Sequence, residues 1–138
     1  MGARHVELAE AGITREILGA FFDSYNTLGY GFLESVYVEA VLFELRARRL
    51  GVAREVAVRV TYKGVVLARQ RLDVIVERKV IVEVKTGPVI LPVAQRQLRN
   101  YLRATGLEVG LVLNYGPRPQ FMREYVPNQM TSVALDQP

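Results

Sequence analysis

Three charged residues, Asp73, Glu83 and Lys85, interrupt two short apolar runs that are joined by a charged turn. Runs of this composition predict the two strands of a β-hairpin. Acidic residues are depleted from strand interiors, and charged side chains are rarely buried without a partner. Two carboxylates side by side are suited to holding a divalent cation.

The register of this hairpin decides whether the two carboxylates meet. A three-residue turn over residues 77–79 places Asp73 opposite Glu83. A two-residue turn would shift the register by one and move Asp73 to the face opposite Glu83. We favour the first register because it leaves one face purely apolar. Its predicted cross-strand pairs are Val76 with Val80, Val74 with Val82, Leu72 with Val84, Ile75 with Ile81, Asp73 with Glu83, and Arg71 with Lys85.

Neighbouring carboxylates normally repel each other, and a cation between them would convert that repulsion into binding. The alternative is structural: each carboxylate is a solvent-exposed edge residue, and Lys85 caps the end of its strand. The spacing Glu83-x-Lys85 favours the first interpretation, because residues two apart on a strand project to the same face.

The composition limits the classes of site that the chain can carry. The 138 residues suffice for one domain with a core, and half of them are hydrophobic. The sequence has no cysteine, and its one histidine is His5, which excludes thiolate zinc sites and makes a Ser-His-Asp triad untenable. Any metal must therefore have oxygen ligands, which favours Mg²⁺, Mn²⁺ or Ca²⁺.

Charge and hydropathy indicate a partner and a location. The net charge of +4 fits a polyanionic partner such as nucleic acid. No apolar run approaches the roughly 20 residues of a membrane span, and the N-terminus lacks a signal-peptide core. We therefore expect a soluble cytoplasmic protein without membrane contact.

Periodicity predicts the order helix, helix, three strands, helix and one or two strands. The helices are expected over residues 14–28, 33–49 and 93–104, and the later strands over 107–114 and 121–126. This order predicts a single α/β (α+β) domain over residues 13–126, with a mixed sheet flanked by helices on both faces. Residues 1–12 are expected to be a lead-in, and residues 127–138 a loose tail.

Further polar residues on the predicted helices could join the hairpin. Glu34 lies in the first turn of the second helix, where the alternative role is to complement the helix dipole. Gln97 and Tyr101 are four apart on the third helix and share a face. Their alternative role is that of a surface amide beside a core aromatic. The second helix is expected to bury Phe43, among other apolar side chains.

Four motifs occur in order along the chain: Gly31-x-x-Glu34-x-x-Tyr37, Asp73, Glu83-Val84-Lys85, and Gln97-x-x-Asn100-Tyr101-Leu102. Together they resemble the GxxExxY protein family of the PD-(D/E)xK nuclease superfamily. The resemblance covers about residues 12 to 126, including the turn at residues 62–64 and the strand that ends at Asn114.

This resemblance implies a restriction-endonuclease-like fold. In such a fold Asp73 and Glu83 hold Mg²⁺ (or Mn²⁺), Glu34 adds a ligand, and Lys85 contacts the attacking water or the scissile phosphate. Gln97 followed by Tyr101 matches the exonuclease-like branch of the superfamily. The backbone carbonyl of Val84 is a further candidate ligand.

We therefore expect a Mg²⁺-dependent nuclease that hydrolyses DNA phosphodiester bonds. The alternative is a catalytically silent nucleic-acid-binding or assembly module with the same fold. One departure from the family pattern favours the alternative, because Tyr25 stands where the family often has a histidine. No separate DNA-binding domain is visible, so sequence specificity would need a homodimer or another partner.

Overall fold

The computed structural model describes residues 8–127, which form three helices and five strands. In chain order these are α1 (Ala11–Leu28), α2 (Glu34–Ala47), β1 (Val52–Tyr62), β2 (Val65–Val76), β3 (Val80–Lys85), α3 (Pro92–Thr105), β4 (Val109–Tyr115) and β5 (Pro119–Tyr125). The predicted order is confirmed, although α1 begins three residues before its predicted start. The predicted lead-in and tail lie largely outside the described residues, and Ala11 and Gly12 of the lead-in belong to α1. No helix in the described part of the chain is long and apolar enough to cross a membrane.

The five strands form one mixed sheet in the order β1-β2-β3-β4-β5. All neighbours are antiparallel except β3 and β4, which are parallel and are connected through α3. Two parallel strands cannot be joined by a tight turn, so the connecting helix crosses a face of the sheet. Every residue of β4 is buried, because the strand is paired on both sides and covered on both faces.

Two hydrophobic clusters lie on opposite faces of the sheet. The first joins α1 and α2 to the sheet through Ile17, Phe21, Tyr37 and Leu45, together with Val74 and Val82. The second joins α3 to the sheet through Leu98 and Leu102, together with Ile75 and Ile81. Adjacent residues of β2 thus alternate between the clusters, as a period of two requires. The helices lie on both faces, as predicted.

The predicted turn and the first part of its register are confirmed. Val76 pairs with Val80, and Val74 pairs with Val82. The turn residues Glu77 and Arg78 adopt the left-handed conformation, with φ of 54° and 57°. This three-residue turn keeps the side chains of the hairpin in the register that brings Asp73 towards Glu83.

Asp73 and Glu83 are neighbours across the two strands, as predicted, but the pairs predicted beyond Asp73 were wrong. Leu72 packs in the cluster under α3, whereas Val84 packs in the cluster under α1 and α2. The backbone pairing of β2 with β3 ends at Val74 and Val82, so Arg71 does not pair with Lys85. The strict alternation fails at Asp73, opposite a stretch of β1 where Glu55 has a left-handed φ of 51°. A local change of strand direction of this kind is not encoded by the hydrophobic pattern.

A second error concerns α2. Phe43 was expected to be buried, but it is 70% exposed, and Leu42 takes the inward position. Both residues are apolar, so the pattern alone does not decide which of two neighbours faces the sheet.

Candidate active site

The centre of the site is the point at which β2 and β3 stop pairing through their backbones. Beyond Val74 and Val82, side chains take over the hydrogen bonds of the ladder. The Asp73 amide donates to Glu83 Oε2 at 3.0 Å, and the Val84 amide donates to Asp73 Oδ2 at 2.8 Å. Two reciprocal bonds of this type fix both carboxylates against the opposite strand, and both remain satisfied although they are partly desolvated.

Burial makes the Glu83 carboxyl difficult to ionise. The residue is 7% exposed. Desolvation and, secondarily, the negative charge of Asp73 raise the pKa of Glu83 to about 8, against an opposing effect of Lys85. Ionisation of a buried carboxyl beside another carboxylate is opposed both by the loss of hydration and by charge repulsion. A cation at this position would relieve both effects.

Lys85 is the last residue of β3 and is half-buried. It pairs with Asn114 of the parallel strand β4. Its positive charge lowers the cost of ionising both Glu83 and Glu34, although burial keeps the pKa of each carboxyl above its ordinary value. One ammonium group thus lies within electrostatic reach of two carboxylates from different elements.

Glu34 reaches the same place from the first turn of α2. Partial burial and the charge of Asp73 raise the pKa of Glu34. The preceding loop is held by Tyr37, whose hydroxyl donates to the Gly29 carbonyl at 2.7 Å and accepts from the Phe32 amide at 3.1 Å. Gly31 makes this loop feasible because its φ of 107° is disfavoured for other residues.

The two residues predicted on α3 also lie at the site. Gln97 lines a cavity of about 210 Å³ together with Glu34 and Lys85. Tyr101 is nearly buried, and its pKa is raised by that burial and by the charges of Glu83 and Asp73. The fold therefore brings Glu34, Asp73, Glu83, Lys85, Gln97 and Tyr101 into one region.

The donor set fits a hard divalent cation. Asp73 and Glu83 offer carboxylate oxygens, and the peptide of Val84 lies beside Asp73 through its amide hydrogen bond. Within residues 8–127, no group of three or more His, Cys, Asp or Glu side chains is arranged to hold a metal ion. Here Asp73 and Glu83 each accept a backbone hydrogen bond. Glu34, Asp73, Glu83 and the Val84 carbonyl therefore remain a predicted ligand set.

Tyr25 has a structural role in this fold. Its hydroxyl donates to the Gly116 carbonyl at 2.7 Å, and its ring stacks on Tyr115 at 6.2 Å. These contacts tie α1 to the end of β4. These contacts account for a tyrosine at this position.

Asn114 is a polar residue of the site to which sequence reasoning gave no role. It is fully buried at the end of β4, and it lines the same cavity as Lys85 and Gln97. Its Nδ2 donates to the Gly87 carbonyl at 2.8 Å, whereas its Oδ1 has no hydrogen-bond partner among residues 8–127. The sequence does contain one signal for this residue, a single amide at the end of an otherwise apolar strand. A buried polar group usually has a specific role, so this position could have been identified as a candidate.

Comparison with known proteins agrees with this geometry. The family model of the PD-(D/E)XK nuclease superfamily matches residues 11–125. The crystal structure of SSO0001 is similar in fold, with a TM-score of 0.55 and 21% sequence identity. The similarity covers 69% of this chain, which spans 50% of that chain. A search of curated proteins gives no match. The five-stranded mixed sheet is thus restriction-endonuclease-like, and the chain belongs to the PD-(D/E)XK nuclease superfamily.

Proposed function

We propose that the protein is a Mg²⁺-dependent nuclease that hydrolyses DNA phosphodiester bonds. Asp73 and Glu83 would hold the metal, with Glu34 and the Val84 carbonyl as further ligands. A divalent cation in such a site supplies a water of lowered pKa and polarises a phosphate oxygen.

The observation that carries the proposal is the reciprocal hydrogen bonding of Asp73 and Glu83 across β2 and β3. It orients two carboxylates before any ligand arrives, in a place where burial makes the uncompensated charge of Glu83 costly. Preorganised groups of this kind lower a barrier because they need no rearrangement during the reaction. An ordinary solvent-exposed strand edge would show neither feature.

The remaining residues have roles that their positions support. Lys85 projects to the same region as Glu83 and can hold the attacking water or offset charge that develops on the phosphate. Gln97 lies exposed at the cavity beside Glu34 and can donate its amide to a phosphate oxygen. Tyr101 is mostly buried and supports the two carboxylates from α3.

Incubation of the purified protein with labelled single-stranded and duplex DNA tests the proposal. Separate reactions contain Mg²⁺, Mn²⁺ or EDTA, and an RNA of the same sequence is included. We expect metal-dependent cutting of DNA that disappears in EDTA and in Asp73→Asn. Cutting that persists in EDTA, or cutting of RNA alone, contradicts the proposal.

A second candidate is a nucleic-acid-binding module that does not cut. Two points favour it. In the described residues no group of three His, Cys, Asp or Glu side chains is arranged for a metal, and Tyr25 stands where the family that the sequence resembles often has a histidine. This module would bind DNA equally well with and without Mg²⁺ and would leave it intact. The same incubations, followed by a binding assay, separate the two candidates.

A further inference from the structure

The two longest strands, β1 and β2, extend beyond the hydrophobic core as a two-stranded ribbon, which we define as residues 59–71. Val58 and Leu72 on either side of it are fully buried. Every residue from 60 to 71 is exposed. The strands are joined at the tip by Lys63 and Gly64, both with positive φ. Arg59, at the base of the ribbon, is half-buried. The rest of the ribbon contributes little to the core and presents its side chains to solvent.

The charge of this ribbon has one sign. It contains Arg59, Lys63, Arg69 and Arg71 and has no aspartate or glutamate. Arg59 lies directly opposite Arg69 in the register of the two strands. The side chain of Arg71 is 75% exposed. Positive charge is thus concentrated on an element that projects from the hydrophobic core.

The three arginines share one face of the ribbon, and that face leads to the candidate active site. Val58 and Leu72 point into the cluster under α3. Side chains alternate along a strand, so their neighbours Arg59 and Arg71 project to the other face, as does Arg69. That face is the one covered by α1 and α2, with Glu34 at the start of α2.

A groove at the acidic residues borders on the ribbon through Glu55. It has a volume of about 190 Å³, and its lining includes Glu34, Glu55 and Asp73 but none of the ribbon arginines. Arg71 Nη1 lies 3.9 Å from Glu55 Oε2. Arg69 and Arg71 lie roughly 7 Å apart along β2. Asp73 follows Arg71 two residues later, at the point where the alternation of β2 breaks. A single extended polyanion could therefore contact both the ribbon and the acidic residues.

We propose that the ribbon, through Arg59, Arg69 and Arg71, is an arm that binds the phosphate backbone of the DNA substrate next to the bond that is cut. This inference rests on the proposed nuclease function. It places the DNA backbone along the ribbon arginines, next to the candidate active site. Guanidinium groups bind phosphate oxygens in a bidentate manner. A two-stranded ribbon also has the dimensions of an element that enters the major groove of B-DNA. Duplex DNA on at least one side of the scissile bond is the matching partner.

A second copy of the chain is a poorer match for this surface. The ribbon exposes Val65 and Leu67, which would favour self-association. Symmetric pairing of two ribbons would, however, bring together two groups of four cations that have no acidic residues among them. Like charges across an interface weaken association, whereas phosphate neutralises them.

The test is the salt dependence of binding of a labelled 30-base-pair duplex in EDTA, where no metal-dependent cutting occurs. Wild type is compared with Arg59→Gln/Arg69→Gln. The control is Arg46→Gln/Lys79→Gln, which removes two exposed positive charges at the end of α2 and in the β2–β3 turn. Each lost phosphate contact lowers the slope of log affinity against log salt by about 0.9, so we expect a fall of about 1.8. Affinity should fall roughly tenfold in the ribbon variant and stay near wild type in the control.

Arg71→Gln is a second variant whose folding is not in question, because its side chain is mostly exposed. Its slope should fall by about 0.9. If wild type and both ribbon variants have equal slopes of log affinity against log salt, the ribbon does not bind the DNA backbone and the proposal is wrong. A ribbon variant that changes from dimer to monomer in sedimentation, with unchanged DNA binding, also overturns it and assigns the ribbon to self-association.

The nuclease function is decided separately by cutting of DNA by wild type in Mg²⁺ or Mn²⁺. If the wild-type protein cuts DNA and the ribbon variants bind DNA as the wild type does, the proposed role of the ribbon is wrong and the nuclease function stands. Wild type that binds with a ribbon-dependent slope but never cuts overturns the nuclease and supports the ribbon as a DNA-binding surface. Wild type that does not bind the duplex overturns both.

Discussion

Substitution of Lys85 distinguishes a catalytic role of this residue from a structural one. Its charge lies within reach of Glu83 and Glu34, at the end of a buried strand. If it acts when charge develops on the phosphate, Lys85→Ala should lose about a hundredfold or more in cutting rate. DNA affinity and melting temperature should change little, because the interaction is made mainly in the transition state.

Lys79→Ala is the matched control for this prediction. Lys79 is an exposed lysine in the β2–β3 turn. Its loss should leave the cutting rate and the melting temperature near wild type, since exposed charges contribute about 1 kcal/mol or less. A Lys85→Ala protein that cuts as fast as the control would show that Lys85 is not catalytic.

Asp73 has a structural and a chemical role that one substitution can separate. Asp73→Asn keeps an oxygen that can accept from the Val84 amide, so the hydrogen bond at 2.8 Å can persist. It removes the charge that a divalent cation requires. Calorimetry with Mn²⁺ should show binding to wild type that is lost in the variant, while the melting temperature falls by less than for Asp73→Ala. Undiminished Mn²⁺ binding in Asp73→Asn would place the metal elsewhere.

The raised pKa of Glu83 should make the stability of the metal-free protein depend on pH. Its pKa is raised from 4.5 to about 8 by burial and by Asp73, so the folded state retains a proton that the unfolded chain releases. The contribution of this carboxyl to the free energy of unfolding is therefore fully present below about pH 4.5 and is lost as pH rises through 8. Glu34 adds a change of the same sign, and Lys85 opposes both. Tyr101, the other group that faces this cluster, has its pKa raised above 10 and does not titrate in this range.

Urea denaturation in EDTA at about pH 5 and about pH 9 measures this effect, which is worth roughly 1.4 kcal/mol for each unit of pKa difference. Stability should fall over this interval in wild type and fall much less in Glu83→Gln. Glu39→Gln removes an exposed carboxylate that pairs with Arg54 and should retain the wild-type slope. A Glu83→Gln protein with an undiminished slope would mean that Glu83 is not the group responsible.

At the scale of elements, the site depends on how closely α3 approaches the sheet, because α3 carries Gln97 and Tyr101. Gly110 on β4 permits that approach: a methyl group there would lie 2.5 Å from Leu98 Cδ1. Gly110→Ala should therefore destabilise the protein by about 1–3 kcal/mol through overpacking. DNA cutting should fall as well, since α3 would shift relative to β3.

A double variant tests this explanation through its non-additivity. Leu98→Ala alone leaves a cavity and should cost about 2–5 kcal/mol. In Gly110→Ala/Leu98→Ala the added methyl group has room, so the combined loss should be smaller than the sum of the single losses. Additive losses in urea denaturation would show that Gly110 and Leu98 do not conflict.

At the scale of the whole molecule, the site lies where both layers of helices and the centre of the sheet converge. α2 supplies Glu34 from one face, and α3 supplies Gln97 and Tyr101 from the other. The parallel pair β3 and β4 ends between them with Lys85 and Asn114. Ligand sites at the ends of parallel strands flanked by helices are common in α/β proteins. Loss of packing on either face should therefore disturb the site before it unfolds the chain.

The sequence by itself determined the order of the elements, the mixed sheet covered on both faces and the turn at residues 77–79. These features follow from local periodicity and turn length, which a linear chain displays directly. The position of Glu34 in the first turn of α2 is of the same kind, because helix starts have local signals. The grouping of the predicted site residues was implied by the resemblance of the four motifs to a known family.

Only the tertiary structure decided how β2 behaves at Asp73. There the strands leave their ladder, and two carboxylates bind the opposite backbone. Leu72 consequently packs under α3, against the predicted register. The burial that raises the pKa of Glu83 and encloses Asn114 likewise requires the helices above and below the sheet. These properties depend on contacts between segments far apart in the chain and on the twist of the sheet, neither of which has a local pattern from which it could be predicted.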